Sequence, residues 1–126
     1  MMKKTITLLL LILLTASLTS IVFADDAREN KTVEIEGIKF DAPITQNNTT
    51  SFTKLDDGSI SWEYIDYDNN VSVFISKTRL PGYNTTESYN ELDGYNQIRP
   101  IGDWWFLVSA DNVDDLRMVY SSAHMD

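Results

Sequence analysis

Asparagine followed two residues later by serine or threonine is the chemistry this 126-residue chain spells out most often. The triplets Asn30-Lys31-Thr32, Asn47-Asn48-Thr49, Asn48-Thr49-Thr50, Asn70-Val71-Ser72 and Asn84-Thr85-Thr86 make Asn30, Asn47, Asn48, Asn70 and Asn84 candidate acceptors of Asn-linked glycan. The nine Asn and 17 Ser or Thr beyond residue 24 would give about 1.5 such triplets by chance. Turns rich in Asn and Thr also generate the pattern with no modification at all. Asn84 has a competing use, because its side-chain oxygen is placed to cap a helix.

Asp66-Tyr67-Asp68-Asn69-Asn70 opens like a calcium loop, D-x-D-x-N, which makes Asp66, Asp68 and Asn70 the metal-ligand candidates. The pattern then fails. Val71 stands where the loop needs glycine, and Lys77 where it needs a bidentate glutamate. An ordinary polar hairpin turn accounts for the same residues. With no cysteine there is no disulfide, no thiolate zinc site and no thiol nucleophile. The single histidine, His124, is two residues from the end of the sequence. There is no G-x-S-x-G, H-E-x-x-H or phosphate loop, and pairs such as Glu63 with Asp66 arise readily among 19 acids. The sequence reads as non-enzymatic and implies no cofactor.

Aromatic residues offer a different chemistry. Trp62 and Tyr64 share one face of a strand, a spacing that suits a platform for sugar rings or a partner chain. Trp104 and Trp105 are adjacent and so point to opposite faces, leaving Trp105 as a third platform candidate. In a domain poor in leucine, the same residues also serve as core.

The net charge of −9 argues against nucleic-acid partners, since phosphate is repelled over most of the surface. Residues 1–24 have the layout of a secretory signal peptide: Lys3-Lys4, a dense apolar stretch over 6–14, then small residues and a cut after Ala24. The alternative is an uncleaved membrane anchor over residues 5–24, the only part of the chain that would then meet a membrane. Either way residues 25–126 are expected outside the cytoplasm, secreted or on the extracellular face of the envelope. That portion keeps all 19 acids and loses Lys3 and Lys4, so its charge deepens to −11. It also keeps every aromatic residue except Phe23, so its core is built more from rings than from leucine.

The elements that position these groups follow from periodicity. Residues 25–31 read as a disordered lead-in, 32–122 as one domain, and 123–126 as a tail. Alternation over 32–36 predicts a strand, with a bulge or tight turn at Glu36-Gly37 before Ile38 and Phe40 continue in the opposite phase. Residues 51–55, 59–66 and 71–77 predict a meander. A two-residue loop at Asp68-Asn69 sets Tyr64 opposite Val73 and Trp62 opposite Ile75; the register of the first hairpin stays open, because Phe52 and Leu55 differ in parity. Asn84 to Glu87 forms a capping box for a short helix carrying Tyr89 and Leu92 and ended by Gly94. A strand over 95–99 and a central strand over 104–109 follow, then a helix capped by Asp111 that buries Val113, Leu116, Val119 and Tyr120. The expected fold is α+β: an antiparallel β-meander sheet with two short helices packed on one face.

The V-E-I-E-G-I-K-F-D-A-P stretch at 33–43 and the G-D-W-W-F-L-V-S-A-D-N-V-D-D-L stretch at 102–116 resemble short uncharacterised secreted proteins of methanogenic archaea. The resemblance implies a small extracellular α+β domain and brings no catalytic residues. The sequence is therefore expected to encode a binding module for an extracellular protein or cell-wall polymer. The alternatives are a small extracellular hydrolase or calcium-dependent enzyme, and a membrane-anchored ectodomain.

Overall fold

The computed structural model describes residues 28–54 and 56–126. The leader expected over 1–24 lies outside the described residues, as do Asp25 to Ala27 of the lead-in and Leu55. Strand β1 (Glu29–Ile35) begins at Glu29 rather than Thr32 and returns as β2 (Ile38–Ile44), with Ile35 opposite Ile38. Both turn residues have positive φ, 53° at Glu36 and 82° at Gly37. That is the twist a two-residue hairpin demands, so the expected break of phase is a tight turn.

Strands β3 (Asn48–Lys54), β4 (Ile60–Asp66) and β5 (Val71–Ser76) form the meander. Tyr64 lies opposite Val73 and Trp62 opposite Ile75, the register that alternation predicts. The first hairpin resolves with Phe52 opposite Trp62. Strands β6 (Ser88–Asn90), β7 (Gly94–Ile101) and β8 (Trp104–Ala110) follow, then helix α1 (Val113–Ser122) and β9 (His124–Met125). The large sheet runs β3-β4-β5-β8-β7-β6, and the small one β1-β2-β9, all pairs antiparallel.

The core lies between one face of the large sheet and a cover made of the β1–β2 hairpin and α1. Ile38, Phe40 and Ala42 of β2 and Leu116 and Val119 of α1 meet Tyr64, Val71, Val73, Ile75, Phe106 and Val108 of the sheet, all essentially buried. Phe40 makes edge contacts with both Tyr64 and Phe106, centroids 6.1 and 5.5 Å apart. β8 is the central strand expected: Trp104, Phe106, Val108 and Ala110 face the cover, and Leu107 on the other face is buried too.

The expected α+β class with two helices is overturned. The protein is mostly β, with two antiparallel sheets and, among the described residues, one short helix. Where the second helix was expected, residues 84–87 are irregular and 88–90 are β6. Ser, Tyr, Asn and Asp are poor helix formers, and Tyr89 with Leu92 offers too narrow an apolar stripe to dock one. Tyr89 instead packs on Tyr95 across the strand pair at 4.9 Å, while Asn90 accepts from the Asp93 amide at 2.7 Å to close a turn. Leu92 is left 81% exposed. Gly94 serves close approach rather than helix termination: its φ is +74°, and a Cβ there would sit 2.6 Å from the Ala110 carbonyl oxygen.

The last helix forms where expected, but its N-cap is Asn112 rather than Asp111. The Asn112 side chain accepts from the Asp114 and Asp115 amides. No basic residue stands in its last turn. Arg99 of β7 supplies the missing charge, donating Nη2 to the carbonyls of Tyr120 and Ala123 at 3.0 and 2.7 Å while its guanidinium stacks on the Tyr120 ring. Residues beyond the helix are not a free tail, because Met125 and His124 pair with Ile38 and Lys39.

Candidate binding edge

A β-strand at the rim of a sheet presents unpaired backbone donors and acceptors, which proteins normally blunt with shortness or charge. Among the described residues four strands hold such positions. β9 has two residues and β6 three. β1 has seven but carries Glu29, Lys31 and Glu34. β3 also has seven, Asn-Thr-Thr-Ser-Phe-Thr-Lys, every one exposed, with Lys54 its one charged side chain and no proline.

β3 is bare because the cover stops at β4. The β2–β3 connection is held down by Asp66, whose carboxylate is fully buried and accepts from the Thr45 amide at 2.8 Å, the Thr45 hydroxyl at 2.9 Å and the Asp68 amide at 3.1 Å. Beside it the Tyr64 hydroxyl donates to the Pro43 carbonyl at 2.6 Å. Burial, together with the nearby Asp66 charge, pushes the Tyr64 phenol up to about 12. Past this seam the inner face opens. Phe52, 47% exposed, tilts against the half-buried Trp62 ring with centroids 4.7 Å apart, and Trp62 Nε1 donates to the Glu36 carboxylate at 3.0 Å.

The platform candidates therefore separate. Tyr64 is core, 2% exposed, and cannot share a platform with Trp62. Trp62 pairs instead with Phe52, a residue that alternation alone could not place while the first hairpin lacked a register. Trp105 lies on the opposite face of the large sheet, half-buried, with the Arg79 guanidinium 5.1 Å from its ring centroid.

The metal-ligand candidates do not form a site. Asp66 spends its oxygens on Thr45 and Asp68 amide and hydroxyl groups, Asp68 is exposed and accepts from Asn47 Nδ2, and Asn70 sits in the turn with φ +52°. Glu63 projects from the other face of β4 than Asp66, so these carboxylates do not converge. Among the described residues no group of three or more His, Asp or Glu could hold a metal ion. His124 lies exposed on β9 with Nε2 3.5 Å from Asp126.

Two tethers were invisible to sequence reasoning. Arg28 grips Asp115 of α1 through both carboxylate oxygens, at 2.6 and 3.3 Å, and also donates to Asn69. Arg117 pairs with Glu87 in the segment before β6. No helix among the described residues is long and apolar enough to cross a membrane. No family model matches the chain, and neither the curated proteins nor the solved structures compared with it give a match.

Proposed function

We propose that the chain is an exported, non-enzymatic interaction module that takes an extended polypeptide strand along the free edge of β3. The observation that carries this reading is the contrast among edges: among the described residues, β3 alone combines seven exposed residues with a single charge. Main-chain hydrogen bonds would supply the affinity, and Phe52 with Trp62 an apolar pocket for one side chain of the incoming strand. The charge of −11 on residues 25–126 favours a neutral or basic partner strand and opposes pairing of β3 with a second copy of itself. Export rests on the leader pattern of residues 1–24.

A displayed random-peptide library, selected on the protein and counter-selected on Ser51→Lys, tests it. The expected result is enrichment of basic peptides with alternating β-branched or aromatic residues, whose binding weakens at least tenfold in Phe52→Ala. Enrichment that survives both substitutions contradicts the reading. Binding to arrayed polysaccharides that Trp62→Ala abolishes would replace it with recognition of a cell-wall polymer.

A further inference from the structure

We infer that Asn84 is the acceptor at which the folded chain takes an Asn-linked glycan. The five triplets share one sequence pattern but stand in different backbones. A transferase must draw the whole Asn-x-Ser/Thr segment into its own site, with the Asn amide and the hydroxyl two residues on both free to engage it.

Four of the triplets resist this. Asn30 and Thr32 lie in β1 opposite Pro43 and Asp41 of β2, and the Thr32 hydroxyl is committed to the Asp41 carboxylate at 2.7 Å. Asn47 Nδ2 donates to Asp68, and Asn48 Nδ2 donates to the Thr45 carbonyl, with Thr49 and Thr50 inside the β3–β4 ladder. Asn70 is exposed, but Val71 is fully buried and Ser72 is paired on both sides, opposite Ile65 and Ser109. Presenting that triplet would mean unzipping the centre of the sheet.

Asn84-Thr85-Thr86 differs on every count. All three residues are exposed and lie outside helix and strand. The segment is anchored through its carbonyls: Asn84 accepts from the Ile98 amide at 3.0 Å, Thr85 from Gln97 Nε2 at 2.9 Å, and Thr86 from the Ser88 hydroxyl at 3.1 Å. None of the hydrogen bonds among the described residues uses the Asn84 side-chain amide or the Thr86 hydroxyl. The helix that would have claimed the Asn84 side chain as its cap does not form, so that group is released for chemistry.

The reaction needs a lipid-phosphate-linked oligosaccharide as co-reactant. Asn84 Nδ2 attacks the anomeric carbon and forms a C–N bond. The C–O bond to phosphate breaks, the lipid phosphate leaves with that electron pair, and one Nδ2 proton passes to a base of the transferase. No oxidation or reduction is involved. This inference shares with the binding-module reading only the export of the chain, and its test does not depend on the β3 edge.

The test uses the protein exported from a bacterial host without Asn-linked glycosylation, then treated with a single-subunit oligosaccharyltransferase and a lipid-linked oligosaccharide. Peptide mapping by mass spectrometry is run on the folded chain and on the chain unfolded in advance. The expected result is modification of all five triplets in the unfolded chain. In the folded chain Asn84 should react at least tenfold faster than any other site, and both Asn84→Gln and Thr86→Ala should remove the product. A folded chain unmodified at Asn84, or modified as fast at Asn30, Asn47, Asn48 or Asn70, would overturn it.

Discussion

β1 and β3 are both seven-residue edge strands, each paired on one side to the next strand of its hairpin. They differ in what holds them. β1 is preceded by the Arg28 clamp on Asp115, linked internally by Lys31 with Glu29, and tied to β2 through Thr32 and Asp41. β3 has the Phe52–Trp62 contact and the Asn48 tether at its first residue. The charges along β1 also make another strand an unfavourable neighbour, because an incoming chain must bury or match them. β1 is thus an edge that is fastened and defended, and β3 one that is left open. An open edge invites aggregation unless something occupies it.

The largest expected effect concerns the seam where the cover ends. Asp66→Ala removes the acceptor of two amides and a hydroxyl in a dry site, and urea unfolding should show a loss of about 3 kcal/mol. A loss under about 1 kcal/mol would mean that the hairpin is not fastened there. Tyr64 gives the next effect. Its phenol titrates near 12 when folded but near 10 when unfolded, so the unfolded chain loses its proton first as pH rises. Stability from this group is complete below pH about 10 and should fall by roughly 2 kcal/mol by pH about 12. Tyr64→Phe should flatten that alkaline slope.

Arg28→Ala should cost about 1 kcal/mol, since Arg28 is 42% exposed and water screens the pair. Amide exchange should quicken in β1 and leave β3 unchanged; equal quickening in both strands would remove the distinction between the two edges. Phe52→Ala should cost less still, under about 1 kcal/mol, because the ring is half-exposed. The smallest effect lies at β9. The Lys39 ammonium, hydrogen-bonded to Asp126, holds that carboxylate below its usual range. This contact is present above the ordinary carboxylate pKa and lost as pH falls through the lowered value. The His124 and Met125 amide signals should therefore shift in acid while the β3 amides stay fixed.

Much of the strand pairing was legible in the residues. Alternation placed Trp62 and Tyr64 against Ile75 and Val73, because the polar turn between β4 and β5 and the apolar parity agree on one register. Gly37 marked the β1–β2 turn by breaking phase. What stayed hidden depends on distant partners. Nothing local tells Arg28 that Asp115, 87 positions away, will be beside it, or that β5 will adjoin β8 rather than β6. The capping box at Asn84 misled for a related reason. Its signals describe how a helix would begin, while the decision was made by Tyr95 and Gly94, which reward a strand pair instead. The open edge was hidden because exposure of β3 is a property of where the cover ends, and only Asp66 and Tyr64 in three dimensions mark that line.

The central claim, that β3 is the edge built to receive a strand, is tested most directly by backbone-amide mapping in solution. The protein, uniformly labelled with nitrogen-15, would be titrated with the tightest peptide from the display selection and followed by two-dimensional NMR. The largest shifts are expected along Asn48–Lys54, with slowed amide exchange for alternate residues of that strand and a smaller response at the Trp62 indole. Largest shifts along β1, on α1 or around Trp105, with β3 amides exchanging as fast as before, would contradict it.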